Sequence, residues 1–91
     1  MTMVRKNSGN KEPFDEDKIK RSIQKAAIDA GVTLEDVSTE VADITDMITQ
    51  IAREKKEINS HAIKDHVLKE LDKSKPPVAE SWRKFDEKYK D

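Results

Sequence analysis

The 91-residue chain carries 18 Lys or Arg residues against 19 Asp or Glu residues, has no cysteine, and is 34% hydrophobic and 41% charged. This length fits one domain with a narrow core, and the lack of cysteine excludes disulfides and cysteine-ligated zinc. The sequence has no apolar run of the roughly eighteen residues that a membrane span needs and no apolar signal region at its beginning. These features predict a cytoplasmic protein without a membrane partner.

Charge is distributed unevenly along the chain. Basic residues outnumber acidic ones in residues 1–25 and 55–91, whereas acidic residues prevail in residues 26–54. A nucleic-acid-binding domain typically carries a basic patch in an overall basic sequence, so we expect nucleic acid not to be the partner. A small anionic ligand held between the first and last segments suits this distribution better.

The beginning of the chain has the pattern of a β-hairpin, predicted over residues 3–14. Val4 and Phe14 are strand-type residues, and the turn cluster between them contains Gly9, which adopts a positive φ without steric cost. Pro13 has no N–H to donate, which places it at a strand end or a sheet edge. Asp15 is then suited to be the N-cap of a first helix.

Helical spacing of apolar residues predicts four helices, over residues 15–30, 34–53, 60–73 and 77–89. Gly31 is a natural end for the first helix, and Thr33 with Asp36 resembles a capping box before the second. The stripe of the second helix is formed by Leu34, Val37, Val41, Ile44, Ile48 and Ile51. The prediction is a mostly α fold with a small β-element, a four-helix bundle capped by the N-terminal hairpin, in a single domain over residues 1–91.

The second half of the chain is divided by two polar connectors. Asn59 or Ser60 is suited to cap the third helix, and the Lys75-Pro76-Pro77 run separates the third helix from the fourth. The fourth helix carries the aromatic stripe Trp82, Phe85 and Tyr89, which indicates core packing or, alternatively, a surface for a partner helix.

The opening segment has Val4 and Lys6 before a glycine-containing turn, then the run Glu12-Pro13-Phe14-Asp15, and then Lys18-Ile19 followed by Ile23. In these residues it resembles the ATP-cone family. ATP-cones are nucleotide-binding regulatory modules of similar length, found at the N-terminus of many ribonucleotide reductase large subunits and in the repressors of their genes. The likeness extends over nearly the whole chain. It also implies a short strand at Ile58 that joins the hairpin.

The resemblance implies a nucleotide site where the hairpin meets the first helix. Its residues are Val4, Lys6, Glu12, Asp15, Lys18, Ser60 and Lys64. Lys6 is expected to face the phosphates, although an edge-strand lysine can also serve only to discourage sheet-to-sheet association. Lys18 adds a full positive charge to a helix N-terminus that already favours anions. Arg5 is expected on the opposite face of its strand.

The remaining members of the predicted site have alternative roles. Glu12 and Asp15 can accept a hydrogen bond on the base and sugar side, while Asp15 also caps a helix and Glu12 could face solvent. Ser60 is interpreted first as a helix cap and second as a ligand contact, and Lys64 as a cleft residue or a surface lysine. Arg83 could reach phosphates from the end of the bundle, whereas His61 and His66 are interpreted as surface residues.

The sequence predicts binding without catalysis. It contains no phosphate-binding loop with the Gly-x-x-x-x-Gly-Lys-Ser/Thr pattern and no assembly of nucleophile and base. The resemblance to ATP-cones implies ATP or dATP with magnesium as the ligand and an allosteric role. The bound nucleotide would control self-association or docking onto a larger reductase or regulator in deoxyribonucleotide metabolism.

A second hypothesis is a small helical protein-interaction module without a nucleotide. It is favoured by the turn Lys6-Asn7-Ser8-Gly9, which stands where the family usually has Lys-Arg-Asp-Gly.

Overall fold

The computed structural model of the chain describes the backbone of residues 2–6 and 8–88 and the side chains of residues 2–6 and 8–84. Over these residues the elements are strands β1 (Met3–Arg5) and β2 (Lys11–Pro13), helices α1 (Glu16–Asp29) and α2 (Ser38–Arg53), strand β3 (Glu57–Asn59), and helices α3 (Ser60–Ser74) and α4 (Pro76–Lys88). The prediction of a mostly helical fold with a small β-element is confirmed. Asn7 of the predicted turn, Tyr89 and the side chain of Phe85 lie outside the described part.

The described strands form one sheet in the order β2-β1-β3. β1 pairs antiparallel with β2 and parallel with β3, so that Val4 lies opposite both Glu12 and Ile58. In the turn between β1 and β2, Gly9 has a φ of 91° and donates its N–H to the carbonyl of Lys6 at 2.9 Å. Pro13 ends the edge strand β2, where its missing N–H costs no ladder hydrogen bond.

The two faces of the sheet carry different residues, because side chains alternate along each strand. Val4 and Ile58 are buried on the inner face, which also carries Glu12. On the outer face, Lys11 Nζ lies 2.8 Å from Glu57 Oε1 and Arg5 Nε lies 3.2 Å from Glu57 Oε2. One carboxylate therefore connects all three strands. The hydrogen bond from Lys11 is the main cause that lowers the pKa of Glu57; desolvation opposes it, and the charges of Arg5 and Lys11 lower the pKa further.

Helix α1 has well-defined caps at both ends. At its N-terminus, Asp15 Oδ1 accepts the backbone N–H of Asp17 at 3.0 Å. At its C-terminus, Gly31 has a φ of 75° and donates to the carbonyl of Ile28 at 3.1 Å, while Val32 donates to that of Ala27 at 2.9 Å. This is the Schellman arrangement, and the positive φ explains why glycine stands at this position.

Helix α2 begins at Ser38, about one turn later than the sequence predicted. Residues 34–37 form a turn in which Thr33 Oγ1 accepts the N–H of Asp36 at 3.2 Å, and Ser38 Oγ donates to the carbonyl of Glu35 at 2.8 Å. These local bonds between side chain and backbone compete with the helix for the same groups. Leu34 is accordingly 47% exposed, and its predicted place in the buried stripe is wrong.

The helices pack around a shared apolar core. Helix α1 contacts α2 and α4, and α3 contacts the same two helices. Each described helix contributes a side chain with 0% exposure, namely Ile23, Ile48, Leu71 and Val78. Trp82 is 8% exposed at one end of this core, as the core interpretation of the aromatic stripe predicts. Among the described residues, none of the helices has the length and apolar character needed to cross a membrane.

Candidate functional site

A cavity of about 300 Å³ lies between the inner face of the sheet, the first turns of α1 and α3, and α4. The structure brings all seven sequence-predicted site residues to its walls: Val4, Lys6, Glu12, Asp15, Lys18, Ser60 and Lys64. The remaining wall residues are Pro13, Phe14, Ile19, Ser22, Ile63 and Trp82. Residues far apart in the sequence therefore meet at one corner of the domain.

These side chains converge on the cavity for two reasons: side chains alternate between the faces of a strand, and α1 begins beside the sheet. Lys6 follows β1 two residues after Val4 and lines the cavity, whereas Arg5 between them pairs with Glu57 on the outer face, as predicted. Asp15 and Lys18 come from the cap and first turn of α1, where backbone N–H groups and the helix dipole favour an anion. The end of β1 and the start of α1 therefore bring Lys6, Asp15 and Lys18 to the walls of the same cavity.

The polar wall of the cavity is centred on Glu12. Its Oε1 lies 3.1 Å from Lys18 Nζ, and its Oε2 lies 3.6 Å from Lys6 Nζ. The Glu12 side chain is 31% exposed and lines the cavity, where it lies between the two lysines. Two lysines from different elements converge on one anionic group.

The cavity also has an apolar wall. Phe14 and Ile63 are partly buried against the core, and Ile19 is 7% exposed. Trp82 presents its ring to the cavity while its Nε1 donates to Ser22 Oγ at 3.4 Å. The Ser22 hydroxyl in turn donates to the carbonyl of Ile19 at 2.8 Å. An apolar wall with a fixed aromatic ring is suited to a planar, partly apolar group.

Ser60 has a different local role from the predicted one. Asn59 is the N-cap of α3, since its side chain accepts the N–H of His61 at 2.9 Å. Ser60 is the first residue of the helix and is 8% exposed at the cavity wall. Of the two predicted caps, Asn59 is confirmed and Ser60 is wrong, because Asn59 keeps the extended backbone of an N-cap (φ −81°, ψ 135°) while Ser60 already belongs to the helix. Lys64 lines the cavity one turn further along α3.

Other charged residues singled out in the sequence lie elsewhere. Arg83 forms ion pairs with Asp72 and Glu80, and the hydrogen bond with Asp72 raises the pKa of Arg83 above its usual range. His61 is exposed, with Nε2 at 3.5 Å from Asp65 Oδ2. In the part of the chain that the structure describes, no group of three His, Cys, Asp or Glu side chains could hold a metal ion.

Sequence reasoning missed part of the apolar wall. Ser22 was not singled out, and Trp82 was interpreted only through core packing or a partner surface. Trp82 is both a core residue and a wall residue, because the core ends at the cavity. The four-residue spacing of Val78 and Trp82 in the sequence indicates the buried face of α4. It does not show that Trp82 lies where the core borders the cavity.

The fold is a small helical domain whose cavity has lysines and carboxylates on its polar wall and Phe14, Ile19, Ile63 and Trp82 on its apolar wall. The family model described as "ATP cone domain" matches residues 2–90 of the chain. The chain belongs to the ATP-cone family, and the resemblance seen in the sequence is confirmed. It is therefore a nucleotide-binding regulatory module of a non-catalytic kind.

Proposed function

We propose that this ATP-cone domain binds ATP or dATP in the cavity between the sheet, α1 and α3, and that the bound nucleotide acts as an allosteric signal. The observation that carries the proposal is the convergence of Lys6 and Lys18 on one anionic group, with Glu12 Oε1 at 3.1 Å from Lys18 Nζ and Glu12 Oε2 at 3.6 Å from Lys6 Nζ, in a cavity that also has an apolar wall. Two cations that can share one carboxylate can also share one phosphate chain.

The phosphates are assigned to the lysine side of the cavity. A hydrogen bond to a charged group contributes about 1.5–3 kcal/mol net, so each lysine contact changes affinity roughly tenfold or more. Ser60 at the start of α3 and Lys64 on its first turns extend this polar side. The start of α1 contributes a favourable dipole for the same charge.

The base is assigned to the apolar side. Phe14, Ile19 and Trp82 offer the surface on which a purine ring can pack. Glu12 and Asp15, which also line the cavity, can accept hydrogen bonds from the amino group of adenine. Guanine presents an oxygen at the corresponding ring position, which would meet these acceptors unfavourably, and this supports an adenine preference.

Magnesium is proposed to arrive with the nucleotide. The described side chains offer no cluster of carboxylates or histidines for a protein-bound ion. Mg²⁺ in nucleotide sites is commonly held by phosphate oxygens and water with few protein ligands. The residues at the cavity therefore bind the ligand, and we assign no chemical step to them.

The regulatory role is proposed to work through association in the cytoplasm. A nucleotide shifts an equilibrium only by its affinity difference between two states, commonly about 1–3 kcal/mol. The exposed apolar side chains of Ile28, in the last turn of α1, and Leu34, after that helix, support a contact surface around its C-terminal end; they are 62% and 47% exposed. The proposed partner is a second copy or a larger reductase or regulator of deoxyribonucleotide metabolism.

Calorimetric titration with ATP, dATP and GTP in the presence of magnesium tests the binding proposal. We expect micromolar affinity for an adenine nucleotide and weaker binding of GTP. Sedimentation of the same samples with ATP and with dATP tests the association proposal. Absence of both heat and thermal stabilisation at millimolar nucleotide would contradict binding, and an oligomer indifferent to ATP would favour the interaction-module hypothesis.

A further inference from the structure

The Glu12 carboxylate forms ion pairs with both lysines to which the phosphates are assigned. Its two oxygens are used separately, Oε1 toward Lys18 Nζ at 3.1 Å and Oε2 toward Lys6 Nζ at 3.6 Å. The three side chains belong to three different segments, namely β2, the first turn of α1 and the residue after β1. Without a ligand, an anion of the chain itself thus stands between the two cations.

The strand register fixes this position. Val4 lies opposite Glu12 in the antiparallel pair, so Glu12 shares the inner face of the sheet with Val4 and Ile58. The neighbouring Lys11 lies on the outer face, where it pairs with Glu57. A one-residue shift in the register of β1 and β2 would move Glu12 to the outer face. The pairing of the two strands therefore keeps the Glu12 carboxylate at the cavity.

We propose that Glu12 is an intramolecular counter-ion that a phosphate chain has to displace, and that it selects against anions lacking a base. The inference rests on the proposed function, since it concerns how the same site distinguishes its ligands. A bare polyphosphate must replace both ion pairs of Glu12 and then lie beside the displaced carboxylate. A nucleotide also has to displace the carboxylate, but it recovers part of this cost because the Glu12 carboxylate can accept a hydrogen bond from its base.

The sign of the effect follows from charge. Replacing the Glu12 carboxylate by the isosteric amide removes a negative charge that would repel the phosphates. It also leaves the positive charges of Lys6 and Lys18 without their counter-ion. The lysines remain anchored by β1 and α1, so their approach to a ligand is retained. The affinity for bare polyphosphate should therefore rise by the full effect. The affinity for a nucleotide should rise less, because the amide is a poorer hydrogen-bond acceptor for its base.

The test is calorimetric titration of tripolyphosphate and of ATP into the wild-type chain, Glu12→Gln and Glu57→Gln at near-physiological salt. Glu57 is a matched control, since it also bridges two cations, Arg5 and Lys11, but on the outer face of the same sheet. We expect Glu12→Gln to bind tripolyphosphate about tenfold tighter than wild type. We expect Glu57→Gln to resemble wild type, and the preference for ATP over tripolyphosphate to fall only in Glu12→Gln.

Circular dichroism and thermal unfolding accompany each variant. Glu12→Thr, which removes the charge with a strand-forming residue, provides a second variant in case Glu12→Gln does not fold. Unchanged or weaker tripolyphosphate binding in the folded Glu12 variant would overturn the inference, as would an equal gain in Glu57→Gln. Failure of the proposed function has a different signature, since the wild-type chain would then fail to bind ATP at all.

Discussion

The indole Nε1 of Trp82 donates to Ser22 Oγ at 3.4 Å, which joins α4 to α1 at the wall of the cavity. Trp82 is 8% exposed and belongs to the core, so its ring is held by packing as well as by this bond. A ligand beside the ring therefore meets a residue that belongs to both the site and the core.

We expect adenine nucleotides to change the emission of Trp82. Since the chain has one tryptophan, the signal needs no assignment by mutation. ATP should shift or quench the emission in proportion to occupancy, while tripolyphosphate, which lacks a base, should have a smaller effect at equal occupancy. Parallel fluorescence and calorimetric titrations check this. An unchanged spectrum at saturating ATP would contradict the assignment of the base to the Trp82 wall.

Ile23 and Ile28 provide a matched pair for the stability of the core. Both are isoleucines of α1, but Ile23 has 0% and Ile28 has 62% exposure. Ile23→Ala should lower the free energy of unfolding by about 2–5 kcal/mol, because it removes buried methyl groups and leaves a cavity. Ile28→Ala should change it by no more than about 0.5 kcal/mol. Urea unfolding of both variants measures the difference, and equal effects would show that α1 packs through another face.

Glu57 should make the stability of the sheet depend on pH. Its pKa is lowered in the folded state, chiefly by the hydrogen bond from Lys11. The stabilisation is fully present above the ordinary glutamate pKa of about 4.3 and is lost as pH falls through the lower folded pKa. Urea unfolding between neutral and acidic pH should show a smaller acid-induced loss in Glu57→Gln than in wild type. The same acid-induced loss in both proteins would contradict this contribution.

Asp15 has a capping role that can be separated from ligand binding. Its Oδ1 accepts the N–H of Asp17, and asparagine can do the same. Asp15→Ala should therefore cost about 1 kcal/mol of stability, and Asp15→Asn much less. Thermal unfolding of the two variants without nucleotide checks this expectation. If Asp15→Asn is as unstable as Asp15→Ala, the charge near the helix N-terminus dominates over the cap.

Much of the site was predictable because it depends on local rules. Asp15 as N-cap and Gly31 at the end of α1 follow from backbone chemistry that acts within a few residues. The grouping of Lys6, Glu12 and Lys18 followed from the family resemblance, and strand alternation agrees with it. The apolar stripe predicted from Leu34 to Ile51 is buried from Val37 to Ile48, where regular helical spacing is a reliable guide.

The errors arose where two local interactions compete or where distant segments meet. Leu34 continued the helical spacing, but the bonds of Thr33 and Ser38 to nearby backbone stabilise a turn instead. The contact of Ser22 with Trp82 joins residues 60 positions apart and depends on the packing of α4 against α1. Periodicity within one helix carries no information on such a contact.

The position of the nucleotide is tested most directly by ATP titration of Lys6→Ala and Lys18→Ala, with Lys11→Ala as the control. Lys11 belongs to the same hairpin, but its ammonium group pairs with Glu57 on the outer face. We predict that each cavity variant weakens ATP binding roughly tenfold or more, because each removes a charge-assisted contact. Lys11→Ala should bind ATP as wild type does. Equal affinities for all three variants and wild type would contradict a phosphate site between Lys6 and Lys18.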